Sequence, residues 1–381
     1  MKNVLLLCGA AVLCLGAIVV SAQHQSSGSA PGLILEGKRF FETETFGGNG
    51  RTCRTCHGLQ TGTVSPEDAQ QRFALDPGDP LFAHDGSDDG LGNGVSRMLT
   101  DATVLITITL APNVSLAADP TARTVVLRRG IATTLNIPAL DSVFMLDGRQ
   151  PSLESQAMGA IVDHAQAAAP SSAVLHSIAE FQQTNQFFTS PALRLFALGT
   201  GAAPALPEGN TPSERRGRRF FEDVGPDPSD GLKPGLCSHC HSGPLLNQTN
   251  QFADDFTFLP IPAGQRFLSV GVSEFNTAGN PVREFVFDTG TARVHLFSPD
   301  PGRALVTGIV NDPTLEHVNA FKIAPLRGIA RTAPYFHDNS ARTLEDVAAH
   351  YALFFNVVTG GAIQLTLEDQ LDIVAFMKLL K

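Results

Sequence analysis

The chain has 381 residues, a formal net charge of −10, 43% hydrophobic residues and no tryptophan. That length suffices for two ordinary domains, each with its own core. The acidic balance excludes a nucleic-acid-binding protein of the usual basic kind and favours, weakly, a basic electron-transfer partner.

In chain order, the first element is a leader. Lys2 precedes an apolar run from Val4 to Val20, followed by the small residues Ser21 and Ala22 and a polar segment from Gln23. This is the pattern of a Sec-type signal peptide over 1–22, which predicts an exported, periplasmic protein; membrane contact is expected only if the segment is retained. Cys8 and Cys14 leave with it. The remaining four cysteines form two C-x-x-C pairs, each followed at once by histidine: Cys53-Arg54-Thr55-Cys56-His57 and Cys237-Ser238-His239-Cys240-His241.

Two cysteines three apart on a helical turn present both sulfurs on one side, where they form thioethers to the vinyl groups of one macrocycle. The next histidine then reaches the iron. A zinc site built from both pairs explains neither the paired histidines nor the export signal. The pattern therefore predicts two covalently bound haem c groups, with His57 and His241 as proximal iron ligands.

The surroundings of the two motifs repeat. Gly37 to Glu42 (GKRFFE) precedes the first and Gly217 to Glu222 (GRRFFE) the second, each read as a short helix with a buried Phe pair. A helix from Ser172 to Thr184 closes the first unit. One from Leu367 to Leu380, with Thr366 and Asp369 as a capping pair, closes the second. The closing helices share Ile178/Phe181 and Ile373/Phe376, and the Gly, Pro and Ala-rich stretch 199–211 separates the units. The predicted fold is mainly α: two tandem cytochrome c-like domains, 23–206 and 207–381, with β-hairpin insertions at Val104–Leu110 and Phe267–Phe297. Residues 76–97 read as a solvated Gly/Asp loop in preference to a cation site at Asp85, Asp88 and Asp89. Among the mature methionines, Met98, Met145, Met158 and Met377, none has an obvious ligand context, and Met377 reads as core.

The stretch Ala324 to Asp338, APLRGIARTAPYFHD, followed by Thr343 to Val347, resembles the signature of bacterial dihaem cytochrome c peroxidases, a group that includes the maturation enzyme of methylamine dehydrogenase. Thr134-Leu135-Asn136, Asp147-Gly148-Arg149, Ser152-Leu153-Glu154, Gln156-Ala157 and Gly159 agree as well. The resemblance implies reduction of hydrogen peroxide to water at the first haem. Electrons would enter by the second from a small donor protein of cytochrome c or cupredoxin type. It places the distal ligand of the second haem fourteen residues after His337, at Tyr351, with the adjacent His350 as the alternative. His84 is the candidate for a distal histidine on the first haem; the better expectation is an open first haem.

The resemblance also exposes departures. The acid/base glutamate of the distal pocket falls on Gln166, which can hydrogen-bond peroxide but cannot shuttle a proton. His164, two residues earlier, is the alternative. The tryptophan between the haems falls on Leu146. The interdomain calcium would keep the backbone of Thr332 and Pro334 but finds Gly130 where an asparagine side chain is used. Two other readings stay open: a non-enzymatic dihaem electron carrier, if both irons are six-coordinate, and a dihaem oxidase acting on another molecule, which Tyr351 favours and the lack of tryptophan disfavours.

Overall fold

The structure, a computed structural model, describes residues 31–225, 227–252 and 261–381. The leader expected over 1–22 lies outside the described residues. Each repeated unit is built on a crossing of two helices. Pro31–Glu42 packs on Ser172–Thr184, and Pro212–Arg219 packs on Leu367–Met377. The expected cap is present, with the Thr366 hydroxyl accepting from the Asp369 amide while the Asp369 carboxylate accepts from that of Thr366. The second closing helix ends at Met377, three residues before the expected end, and Met377 is buried in the core.

Both crossings turn on a glycine. A Cβ on Gly37 would lie 1.9 Å from the Ser177 carbonyl oxygen, and one on Gly217 would lie 1.9 Å from that of Asp372. The helices touch backbone to backbone there. The Phe pairs beside these glycines fill equivalent places: Phe41 meets Phe181 in a tilted arrangement at 5.7 Å between centroids, and Phe221 meets Phe376, also tilted, at 5.1 Å. Gly217→Ala should therefore destabilise the second unit by about 1–3 kcal/mol through overpacking. That exceeds the ~0.5–1 kcal/mol that Ala gains over Gly in a helix. Thermal unfolding monitored at the second unit should show the loss, whereas Gly32→Ala, which meets nothing within 4 Å, should not.

The β segments do not form two separate hairpins. Thr103–Thr109 pairs antiparallel with Thr124–Gly130, and its alternation buries Val104, Ile106 and Ile108. Val114–Leu116, in the connection between those strands, pairs with Arg283–Asp288 from the second half. That strand in turn pairs with Arg293–Ser298. The expected insertion over Phe267–Phe297 divides further: Phe267–Leu268 pairs with Phe321–Lys322, and Val272–Phe275 is a helical turn. Strands from both halves thus share one sheet and one apolar cluster, in which Ile106, Ile108 and Leu127 meet Phe285, Phe287 and Leu305. Burying both β elements against each other removes apolar faces that neither helical unit covers.

Candidate functional site

The first motif occupies a single helical turn, Cys53–Cys56, entered through a capping box at Thr52. Cys53 packs on the helical cluster around Phe41 and Phe181, while Cys56 packs on the β cluster. The four cysteines of the two motifs are unbridged. Burial, with the neighbouring Cys56, pushes the Cys53 thiol up to about 12; burial, with Glu316, pushes Cys240 up to about 12. Buried neutral thiols suit thioether attachment and oppose thiolate ligation of zinc.

Both motif histidines meet a backbone carbonyl through Nδ1. His57 Nδ1 lies 2.8 Å from the Gly62 carbonyl oxygen, and His241 Nδ1 lies 2.9 Å from that of Leu246. A carbonyl can only accept, so at His57 Nδ1 carries the proton and Nε2 is left as a lone-pair donor, whereas the His241 ring also hydrogen-bonds the backbone of Ala324. Burial pushes the His57 ring down to about 4, keeping it neutral as an iron ligand must be, and burial lowers His241 as well. The buried thiols and apolar packing fit a haem c group at each motif, and the His57 tautomer fits an iron ligand at the first.

A small, partly open cleft is lined by Met145, Arg149, Gln156, Asp163 and His164 among others. The residues around His164 form a wider, i→i+5 turn, in which the Ala165 amide donates to the Ala160 carbonyl. His164 Nδ1 is 2.5 Å from Asp85 Oδ2, and the other carboxylate oxygen of Asp85 takes a hydrogen bond from Arg51. Asp85, expected in a solvated loop, is thus buried. Burial pushes its carboxyl up, but the His164 hydrogen bond and the Arg51 charge outweigh that and hold it below the usual range. The His164 charge is felt at His57, and those of Arg51 and Asp85 at the Cys56 thiol, so the group sits against the first motif.

Gln166 stands apart from this arrangement. It is exposed, on left-handed backbone with φ 54°, and its carboxamide oxygen is 3.4 Å from Asn49 Nδ2. His84 begins the short turn His84–Gly86, with Nδ1 buried, unpartnered and 3.9 Å from Asp85 Oδ2. Asp88 and Asp89 are spent on their own loop. Asp88 accepts from the Ser96 and Arg97 amides, and Asp89 from those of Leu91 and Asn93. Among the described residues no three His, Cys, Asp or Glu side chains converge to hold an ion, which leaves both the loop-cation and the zinc readings without a ligand set.

At the second motif the two candidates of helix Leu344–Val358 diverge. His350 is held by Nε2, 2.7 Å from the Val270 carbonyl. Tyr351 lies against the motif: burial raises its phenol, and the Cys240 and Cys237 thiols raise it further. Phe336, Phe354 and Phe355 surround its ring. At the calcium positions Gly130 itself supplies no side chain. A Cβ on Gly130 would lie 2.0 Å from Asn339 Oδ1, so the Asn339 amide fills that space. Its nitrogen is engaged by the Asp101 and Ala102 carbonyls, leaving no side-chain oxygen from position 130 to join Thr332 and Pro334. Beside Leu146, whose carbonyl accepts from the Lys322 amide, Phe321 stacks on His337 at 3.7 Å.

No family model matches the chain. A cytochrome c551 peroxidase of Nitrosomonas europaea (strain ATCC 19718 / CIP 103999 / KCTC 2705 / NBRC 14298) is 27% identical over 248 residues, 61% of this chain; the match spans 60% of that relative's length. The crystal structure of a MauG-like protein associated with microbial copper homeostasis superposes over 92% of this chain and 88% of that one, with a TM-score of 0.50 at 19% identity. The diheme peroxidase BthA from Burkholderia thailandensis E264 gives a TM-score of 0.46 at 15% identity, covering 92% of this chain and 86% of that one. The curated match and the fold of the MauG-like protein agree with the resemblance read from the motifs: the chain is similar to the bacterial dihaem cytochrome c peroxidases.

Proposed function

We propose that the chain is an exported, periplasmic c-type cytochrome with two covalent haems that reduces hydrogen peroxide to water. Peroxide reacts at the haem of Cys53, Cys56 and His57. Electrons enter at the haem of Cys237, Cys240 and His241 from a small cytochrome c or cupredoxin-type donor. The haems, when bound, supply the redox equivalents and the iron position at which peroxide is reduced. The observation that carries this reading is the polar cleft lined by His164, whose Nδ1 is held by Asp85 and whose charge is felt at His57.

The chain's own residues supply the proton chemistry. With Nδ1–H on Asp85, His164 Nε2 can take a proton from bound peroxide and give it to the departing oxygen, which leaves as water. Two electrons and two protons in all convert one peroxide to two waters. Among the described residues no helix is long and apolar enough to cross a membrane. The test is peroxide consumption by the holoprotein with a reduced small cytochrome as donor. His57→Gly should abolish turnover while the absorption of the second haem persists; turnover surviving in His57→Gly would refute the assignment.

Met145 supports a second reading. It lines the same cleft from left-handed backbone, φ 66°, and a thioether bound to the first iron would make the protein an electron carrier. In that case Met145→Leu converts the first haem from low to high spin; on the peroxidase reading the ferric spectrum is unmoved.

Tyr351 is proposed as the distal ligand of the second haem. An anionic phenolate favours ferric over ferrous iron, so Tyr351→Phe should raise the second haem's potential and change its ferric spectrum, leaving the helix intact. His350→Ala should do neither. The reverse pattern transfers the ligand role to His350.

A further inference from the structure

We propose that Asp85, clamped by Arg51, is the positioning residue that holds His164 as a base facing the first haem; the proposal rests on the cleft being the site of peroxide reduction. Three observations carry it. His164 Nδ1 and Asp85 Oδ2 are 2.5 Å apart, and a carboxylate at that distance admits only the tautomer with its proton on Nδ1. That leaves Nε2 as the acceptor in the cleft that His164 lines.

Asp85 is itself not free to turn. Its second oxygen is bound by Arg51, whose remaining donors reach the carbonyls of Pro80 at 2.8 Å, Leu81 at 2.9 Å and Ala83 at 2.5 Å. Arg51 Nη1 also reaches the His164 carbonyl at 3.2 Å, so one guanidinium fixes both members of the pair. Finally, the turn that presents Asp85 is wrapped tightly on this arginine. A Cβ on Gly86 would lie 1.9 Å from the Leu81 carbonyl oxygen and 2.6 Å from Arg51 Nη2. A buried, fully bonded arginine two residues before Cys53 ties the histidine to the haem motif itself.

Other charged groups face this pair. His84 lies 3.9 Å from the same Asp85 oxygen, Asp163 and Arg149 line the cleft with His164, and His57 feels the His164 charge. Any test must separate His84 from His164.

Cyanide is a suitable probe because hydrogen cyanide must lose its proton as it binds ferric iron, and no peroxide or donor is involved. Its association with the first haem of the ferric holoprotein would be followed at neutral pH. His164→Gln should slow it relative to the wild type. Asp85→Asn, which cannot enforce the tautomer, should slow association roughly 10–100-fold, the usual cost of losing an orienting partner, and Asp85→Glu should restore most of it. In the His164→Gln background Asp85→Asn should have no further effect, because Asp85 acts only through His164.

An Asp85→Asn rate equal to the wild type overturns the proposal. So does an equal slowing in the His164→Gln background, which would mark a merely structural role. Slowing in His84→Gln with a wild-type rate in His164→Gln, or no cyanide uptake at the first haem of the wild type, also overturns it. Cyanide behaviour as expected in a protein that does not consume peroxide would leave the pair standing and refute the proposed function.

Discussion

Arg129→Ala should lower the thermal midpoint by roughly 6–20 °C, taking a loss of about 3–5 kcal/mol for an uncompensated buried charge at ~2–4 °C per kcal/mol. Arg129, Asp147 and Asp300 are all buried. Arg129 holds Asp300 through two bonds of 2.7 and 2.9 Å and Asp147 through one of 2.6 Å, joining the strand Thr124–Gly130 to the Asp147-Gly148-Arg149 turn and to the loop before Arg303. Removing the cation strands two carboxylates in the interior, with Arg149, 2.9 Å from Asp147, and His337, 4.0 Å from Asp300, as partial compensation. The pH dependence has a definite sign. Burial alone would raise the Asp147 carboxyl, but Arg129 and Arg149 hold it below the ordinary range. Its stabilising contribution is therefore full above the ordinary carboxylate value of about 3.9 and is lost as pH falls through the depressed one. Arg129→Ala should move acid unfolding to higher pH. A midpoint within ~3 °C of the wild type would show that the three charges are solvated in solution, contrary to their burial.

The second large effect is expected at His164. His164→Gln should reduce kcat/KM for peroxide by about 10²–10⁴, the usual contribution of a general acid/base, without loss of either haem. Glutamine keeps a polar group in the cleft but cannot carry a proton. Gln166→Glu should change turnover by less than ~2-fold, since an exposed carboxylate outside the cleft cannot deliver a proton within it. A strong gain in Gln166→Glu together with a silent His164→Gln would return the role to position 166.

Why a count from the Asp147-Gly148-Arg149 motif lands on Gln166 while the cleft holds His164 has a local cause. Counting assumes an unbroken helical register. The i→i+5 turn that closes between Ala160 and Ala165 inserts an extra residue into that register, and the left-handed backbone at Gln166 then turns its side chain outward. Neither feature leaves a periodic trace in the residues, so both histidine and glutamine remained candidates until the backbone was known.

What the sequence by itself determined is the local chemistry. A cysteine pair and histidine on one turn form the pattern expected for haem attachment without reference to anything distant, because all three residues lie within a single helical turn. The duplication was legible for the same reason: glycine, Phe pair and closing helix recur in order, and the cap at Thr366 is sequence-local. Only the tertiary structure decided how separated segments meet. Asp85 reads as one aspartate among several in a Gly/Asp loop; its burial depends on Arg51 and on a histidine 79 residues away. Val114–Leu116 carries no mark of its partner, Arg283–Asp288, because a strand's alternation shows which face is apolar and not which edge will pair with it. Tyr351 and His350 are neighbours of similar polarity, and one helical step separates a ring lying against the second haem motif from one anchored to the Val270 carbonyl.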